Sequence, residues 1–278
     1  MILLATALYC EAKPFIDVFS LKKDSSINKF QVFKNDDIIL VVTGTGCINM
    51  ACACTYLISA FEVSKYDTFI NIGICGSLDE NISIGTTILC NKIINNSSKR
   101  EFYPDMIIKH PFKEGSIESF SKIVEKADSK YIQGDIVDME AAGFFEAVSI
   151  FMPPHRIFTL KIVSDHLDSK NLNRNDVEKL IQQNSHNIVR WILDIKDNSI
   201  KPKGILSEKD MDYINEIVDN LKLSAYMQNK LKKLSGIYKL RNDNLTLALE
   251  PFTQIYCKSK HEGKMYFEGL VKQLELFM

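Results

Sequence analysis

Three carboxylates in this 278-residue chain stand where acid–base chemistry could be done. Glu11 follows an apolar, strand-like run at 2–8, and Ser164-Asp165 follows another at 157–163. Open α/β sheets bind ligands in the crevice beyond the carboxyl ends of their strands, so both positions face the expected site. The third, Glu140, lies in Val137-Asp138-Met139-Glu140-Ala141-Ala142, which opens an apolar helix. A carboxylate buried there is costly unless it is paired or faces a ligand. Gly44-Thr45-Gly46 follows the run 38–43, and Gly73-Ile74-Cys75-Gly76-Ser77 follows the run 68–72. Both read as turns whose glycines let a ligand approach the backbone, and a helix at 47–61 would aim its N-terminal amides at the same crevice. General acid–base catalysis needs an ionised carboxylate near water and a second group that holds a proton. Singly, these residues have plainer uses. Glu11 could begin a surface helix, where negative charge suits the dipole, and Asp165 could cap a turn.

The elements that must position them are legible as alternating patterns. Strand-like runs occur at 2–8, 38–43, 68–72, 86–90 and 157–163. Helical spacing occurs at 47–61, 138–151 and 176–196, the last through Val177, Leu180, Ile181, Ile188, Trp191 and Ile192. Such alternation predicts an α/β domain around a largely buried sheet. Asp197 through Gly204 reads as a linker, dividing the chain into residues 1–199 and a mildly basic 200–278. After it, Ser207 with Asp210 resembles a helix start, and apolar stripes run through Met211, Ile214, Ile217, Val218 and Leu221, then Leu231, Leu234 and Tyr238, then Phe267, Leu270, Val271 and Leu274. The tail is expected to be a small appendage of three or four helices.

Composition narrows the function classes. The chain is 46% apolar and 25% charged, with 34 basic against 35 acidic residues, an ordinary globular mixture without the charge excess of a nucleic-acid coat. No run reaches the roughly 18–20 apolar residues of a spanning helix. The first ten residues lack the basic start of a signal peptide, and Tyr9 before Cys10 is not the small residue that processing requires, so they read as a buried strand. Seven cysteines without C-x-x-C spacing point to reduced thiols in a cytoplasmic protein, and no metal is expected at Cys10, Cys47 or Cys75. Neither a Walker loop nor G-x-G-x-x-G is present, and no cofactor is expected.

Taken in order, Ala7-Leu8-Tyr9-Cys10-Glu11-Ala12, Thr43-Gly44-Thr45-Gly46, Asn71-Ile72-Gly73-Ile74-Cys75-Gly76-Ser77-Leu78, the Asp-Met-Glu-Ala string and Lys161-Ile162-Val163-Ser164-Asp165 make roughly residues 1–196 resemble the nucleoside phosphorylase and nucleosidase superfamily. Its 5′-methylthioadenosine/S-adenosylhomocysteine nucleosidase branch is the most similar. The resemblance implies a three-layer phosphorylase-like α/β domain with a mixed, strongly curved sheet, to which the all-α tail is added. It also implies cleavage of a purine-type nucleoside in a homodimer, in methionine salvage. By the same resemblance, the Glu11 position activates water, Glu140 holds the ribose hydroxyls, Met139 packs on the sugar, and Asp165, supported by Ser164, protonates the departing base. Asp138, Gly46, Gly73, Ile74 and Cys75 complete the implied substrate-binding set.

Three departures from the family pattern shape what to look for. Ile74 stands where a water-positioning Ser or Thr is common, and Lys161 stands where Arg is common, keeping charge without the fork geometry. Gly134-Asp135-Ile136 runs straight into Val137, where the family usually inserts a loop carrying the residue that stacks on the purine; the base half of the site is therefore expected to be abbreviated. The rival reactions are phosphorolysis, for which the first 150 residues offer only Arg100 and His110, and nucleoside binding without efficient turnover. The tail could dock a protein partner or cover the site. Its Lys222, Lys230, Lys232, Lys233, Lys239 and Arg241 read as a solvated face rather than a nucleic-acid surface, and Tyr226, Tyr238, Tyr256 and Tyr266 as core or interface aromatics.

Overall fold

Branched apolar residues alternate along Ile2-Leu3-Leu4-Ala5-Thr6, and in a strand alternate side chains face opposite ways. In the computed structural model, which describes residues 1–61, 63–168, 172–198, 205–242 and 244–276, this segment is the central strand β1 (Ile2–Thr6). Leu3 and Ala5 join one core, with Met50, Ala53 and Leu57 of α2 (Cys47–Ala60) and Phe144 of α3 (Ala141–Val148). Ile2 and Leu4 join the other, with Phe15 of α1 (Tyr9–Val18) and Ile181, Ile188 and Trp191 of α4 (Arg174–Asn198). Helices therefore cover both faces of the sheet, giving three layers. Each large apolar side chain buried this way contributes roughly 1.5–3 kcal/mol.

The sheet is mixed. β1 pairs in parallel with β4 (Ile38–Val42) and with β5 (Thr68–Ser77), and β5 pairs in parallel with β10 (Ile157–Asp165). From β10 the sheet turns through antiparallel β6 (Thr87–Asn95), then β8 (Lys113–Ser119) and β9 (Ile136–Asp138). β9 then pairs antiparallel with the far end of β5, which closes a curved ring of five strands. Short strands β2 (Lys22–Lys23) and β3 (Gln31–Lys34) extend the β4 edge, and β7 (Glu101–Phe102) pairs with β6.

Three sequence expectations change here. The string Gly73–Ser77 is not a turn: β5 continues through it because β10 pairs with it as far as Gly76 and β9 pairs with Gly76 and Ser77. Ser164 and Asp165 belong to β10 itself. The helix expected at 138–151 begins only at Ala141, because Asp138 is still in β9 and Glu140 sits at the helix's N-terminal boundary.

By its contacts the chain divides into two compact units, Met1–Ser199 and Ile200–Met278. The described part of the second contains α5 (Glu208–Asn220), α6 (Ala225–Arg241), α7 (Leu245–Thr253) and α8 (Lys260–Leu276), and no strand. Ser207 and Asp210 form the reciprocal cap that the sequence suggested, and the three apolar stripes meet in one core with Leu245 and Leu249. Of the tail tyrosines only Tyr238 is a core residue; Tyr226, Tyr256 and Tyr266 are exposed. Most of the 197–204 linker lies outside the described residues. Among the described residues no helix is long and apolar enough to cross a membrane.

Candidate active site

A cavity of about 290 Å³ opens where β5, β9 and β10 end. Glu11, Ile74, Cys75, Asp138, Met139, Glu140, Ser164 and Asp165 all line it, while Gly46 and Gly73 do not. Four structural devices bring these side chains together.

The first is the start of α1. Glu11 is only 3% exposed, and its Oε2 accepts hydrogen bonds from the Ala7 and Leu8 amides at 2.9 and 2.8 Å. Its Oε1 accepts from the Ile74 amide at 3.0 Å. Glu11 does begin a helix, then, but as a buried group tied to β5. Gly73 makes this approach possible, since a Cβ there would lie 2.8 Å from Glu11 Oε1.

The second device is a bulge in β10. Pairing with β5 steps from Val163–Cys75 to Asp165–Gly76 and leaves Ser164 as the extra residue. Successive strand residues normally face opposite ways, and a bulge re-aims them. Here both Ser164 and Asp165 reach the cavity. Ser164 Oγ donates to Asp165 Oδ2 at 2.7 Å and lies 3.0 Å from the Cys75 carbonyl, while Asp165 Oδ1 accepts from the Asp168 amide at 3.2 Å.

Third, α2 and α3 cross closely. A Cβ on Gly143 would collide with the Cys47 backbone, so glycine alone permits the contact. This crossing sets the Gly46 amide 2.8 Å from Glu140 Oε1, so the turn before α2 serves to hold Glu140.

The fourth is a buried ion pair. Lys161, 1% exposed, places its Nζ 2.8 Å from Asp138 Oδ2. Asp138 also accepts from the Ala141 amide and the Ser119 hydroxyl, at 2.8 and 2.6 Å. Asp138 lines the cavity with its oxygens already engaged by the protein.

These contacts set the charges. Burial pulls the Lys161 ammonium down, but Asp138, Glu140 and Glu11 outweigh it and hold the group above the usual lysine value. Burial, then the Asp138 charge, pushes Glu140 up to about 7, against Lys161 and the Gly46 amide. Burial also raises Glu11, opposed by Lys161 and its three amide donors. Burial likewise raises the thiols of Cys10 and Cys75, which line the cavity, and lifts Cys47, which does not line it, to about 11. Among the described residues no group of three or more His, Cys, Asp or Glu could hold a metal ion.

The cavity also has walls that the sequence did not single out. Lys122, Ile123 and Val124 line it from the segment between β8 and β9. These residues end a dozen positions before β9 and add wall to the cavity from outside the short 134–137 connection. Leu172, Asn173 and Arg174 line it from the start of α4. Their only sequence signal was that a long helix begins shortly after Ser164-Asp165. Neither Arg100 nor His110 lines this cavity; Arg100 lies over the Phe102 ring, and His110 is 3.3 Å from Glu114.

Comparison with known proteins agrees with this architecture. The phosphorylase superfamily model matches residues 9–114. The structure is similar to a futalosine hydrolase mutant of Helicobacter pylori, with a TM-score of 0.59 at 16% identity, over 69% of this chain and 98% of that one. It is equally similar to a 5′-methylthioadenosine/S-adenosylhomocysteine nucleosidase from S. pneumoniae bound to a transition-state inhibitor (TM-score 0.59, 15% identity, 69% and 97% covered). The Neisseria meningitidis nucleosidase, in complex with methylthio-immucillin-A, gives 0.58 at 17% identity over 69% and 97%. The sequence matches no curated protein. The α/β unit thus has the phosphorylase-like fold that the sequence motifs implied, and the four-helix unit follows it.

Proposed function

We propose that the α/β unit hydrolyses the N-glycosidic bond of a nucleoside, with a purine of the 5′-methylthioadenosine or S-adenosylhomocysteine type as the favoured substrate. The observation that carries this reading is the convergence of Glu11, Glu140 and Asp165 on one cavity, each held by hydrogen bonds from a different element. Glycosidic cleavage passes through an oxocarbenium-like sugar, and the departing base must gain a proton or hydrogen bond. Glu11 is suited to activate water: burial raises its carboxyl above the ordinary value, which strengthens it as a base, while Lys161 and three amides oppose that rise. Glu140 has one oxygen fixed by Gly46 and is suited to accept from ribose hydroxyls, with Met139 against the sugar. Hydroxyl contacts that tighten in the transition state raise the rate itself. Asp165, oriented by Ser164, is suited to serve the base. In this reading Asp138 and Lys161 hold the carboxylates in place instead of touching substrate. A homodimer in the cytoplasm, acting in methionine salvage, is the setting that the family resemblance suggests, and sedimentation of the purified protein tests the dimer.

One feature favours the rival reaction. Arg174 gives the cavity an arginine, the residue best suited to a phosphate oxyanion. Base release is therefore measured by chromatography for a panel of 5′-methylthioadenosine, S-adenosylhomocysteine, adenosine, inosine, guanosine and uridine, with and without phosphate. The expected result is release without phosphate, lowered about 10²–10⁴-fold in Glu11→Gln. Strict dependence on phosphate would make the protein a phosphorylase. No release from any substrate by folded protein would leave nucleoside binding without turnover as the surviving reading.

A further inference from the structure

A second cavity, of about 760 Å³, lies within the same unit, between the segment 107–111, the turn just before β10 and the C-terminal half of α4. Its size falls in the roughly 300–1,000 Å³ range of small-molecule sites. It is distinct from the catalytic cavity: Arg190 lies about 20 Å further along α4 than Val177, at a rise of about 1.5 Å per residue, and the two cavities share no lining residue.

Its chemistry is cationic. Lys109, His110, His155, Arg156 and Arg190 line it, against a single carboxylate, Asp194. Glu114 touches the edge of this group through His110 Nε2, at 3.3 Å. Three of the lining side chains also hold a buried nitrogen with no hydrogen-bond partner among the described residues: His110 Nδ1, Arg156 Nε and Trp191 Nε1. The indole and guanidinium nitrogens can only donate, so what they lack is an acceptor. Trp191 is 2% exposed, and a donor that deeply buried is seldom left unpaired in a folded protein. Apart from Asn187, the rest of the lining is apolar, from Ile107, Ile108, Pro111 and Ile195. Arginine forks match phosphate oxygens in two-point contacts, and the apolar side suits a planar or hydrocarbon body.

We propose that this cavity is a second binding site, for a phosphate-bearing small molecule of nucleotide size. The phosphate is held by Arg156, Arg190 and Lys109, and its acceptor oxygens complete the donors that the protein leaves unpaired.

The chain supplies its own probe, because Trp191 is its only tryptophan. The single indole N–H resonance of the isotope-labelled full-length protein reports on this cavity alone, even where a ligand also enters the catalytic one. AMP, inorganic phosphate and adenosine are titrated separately. The expected result is a saturable shift of that resonance with AMP, a weaker response to inorganic phosphate and none to adenosine. Arg190→Ala and Lys109→Ala, both at exposed positions, should each weaken AMP binding about tenfold or more while leaving the unliganded resonance in place. An unmoved resonance at millimolar AMP would overturn the proposal. So would an equal response to adenosine, inorganic phosphate binding as tightly as AMP, or unchanged affinity in both variants. Arg156→Lys provides a further check, since it keeps the charge but loses the fork and should still weaken AMP.

Discussion

In the α/β unit, Lys161 is buried among Asp138, Glu140 and Glu11, and burial leaves Glu140 with its carboxyl raised to about 7. In the helical unit the buried carboxylate of Asp210 accepts from the Ser207 amide and hydroxyl at 2.7 and 2.6 Å and from Lys239. Burial pushes Asp210 up too, but these partners outweigh it and hold the group below the usual carboxylate value. One unit spends its buried charge on its own order. The other keeps Glu140, held by the Gly46 amide and pushed up by burial, at the wall of a cavity, which costs stability and is the usual mark of a site awaiting a ligand. Under the hydrolytic reading, the contrast places the chemistry in the α/β unit.

Removing the cation at the centre of the cluster tests the contrast hardest. Lys161→Met leaves Asp138 buried with its charge uncompensated, and breaking a buried pair from one side costs about 3–5 kcal/mol. Denaturant unfolding followed by Trp191 fluorescence, which reports on the α/β unit, measures it. A loss below about 1 kcal/mol would mean that the cluster is hydrated and the contrast between the units is false. Lys161→Arg, with the charge retained, should recover most of the stability. Next in size is Gly73→Ala, whose new Cβ would lie 2.8 Å from Glu11 Oε1 and force that carboxylate to move. A displacement of about 1 Å at a catalytic group costs about 100-fold. Under the hydrolytic reading kcat/KM should fall by that order while the fold persists; unchanged activity would remove Glu11 from the mechanism.

How much of this was legible beforehand depended on whether the determining contacts were local. β1, β4, β5 and β10 could be read because their apolar runs are dense, and Glu11, Glu140 and Asp165 because strand ends and helix starts are visible in sequence. β8, whose sequence is Lys-Glu-Gly-Ser-Ile-Glu-Ser, carries no such signal, and the three residues of β9 are too few to show a period. The closed ring was hidden with them. The Lys161–Asp138 pair could not be inferred either, because β9 and β10 come together only through their shared partner β5. The Ser164 bulge depends on register, which no single strand encodes. Ile123 is 65% exposed in a polar stretch, so its place at the cavity had no pattern to announce it.

The contrast also predicts a dependence on pH. Glu140 has a folded pKa of about 7 against 4.5 for the free side chain, so between these values the folded state binds more protons than the unfolded state. Stability then falls as pH rises through this window, by about 3 kcal/mol once Glu140 is ionised in both states. Glu140→Gln removes that term. The variant should exceed the wild type in stability above pH 7 and lose its advantage toward pH 4.5, as thermal unfolding across buffers would record. If ribose binding needs the ionised form, the wild-type kcat/KM should rise with pH through the same region. A pH-independent difference between the two proteins would show that Glu140 does not titrate in this window.

The smallest effect is expected in the helical unit, where the charge is already satisfied. Ser207→Ala removes the side chain that accepts from the Asp210 amide and donates to the Asp210 carboxylate, and loss of such a cap costs about 1 kcal/mol. Lys239 still neutralises Asp210, so the carboxylate is left with a partner and the loss should stay near that value. Hydrogen exchange at the first amides of α5 resolves it, since fraying there should increase before any other helix of the unit is affected. A loss approaching that of Lys161→Met would mean that Asp210 is as poorly compensated as the cluster around Lys161. The helical unit would then hold a buried charge short of partners, and the argument that places the chemistry in the α/β unit alone would fail.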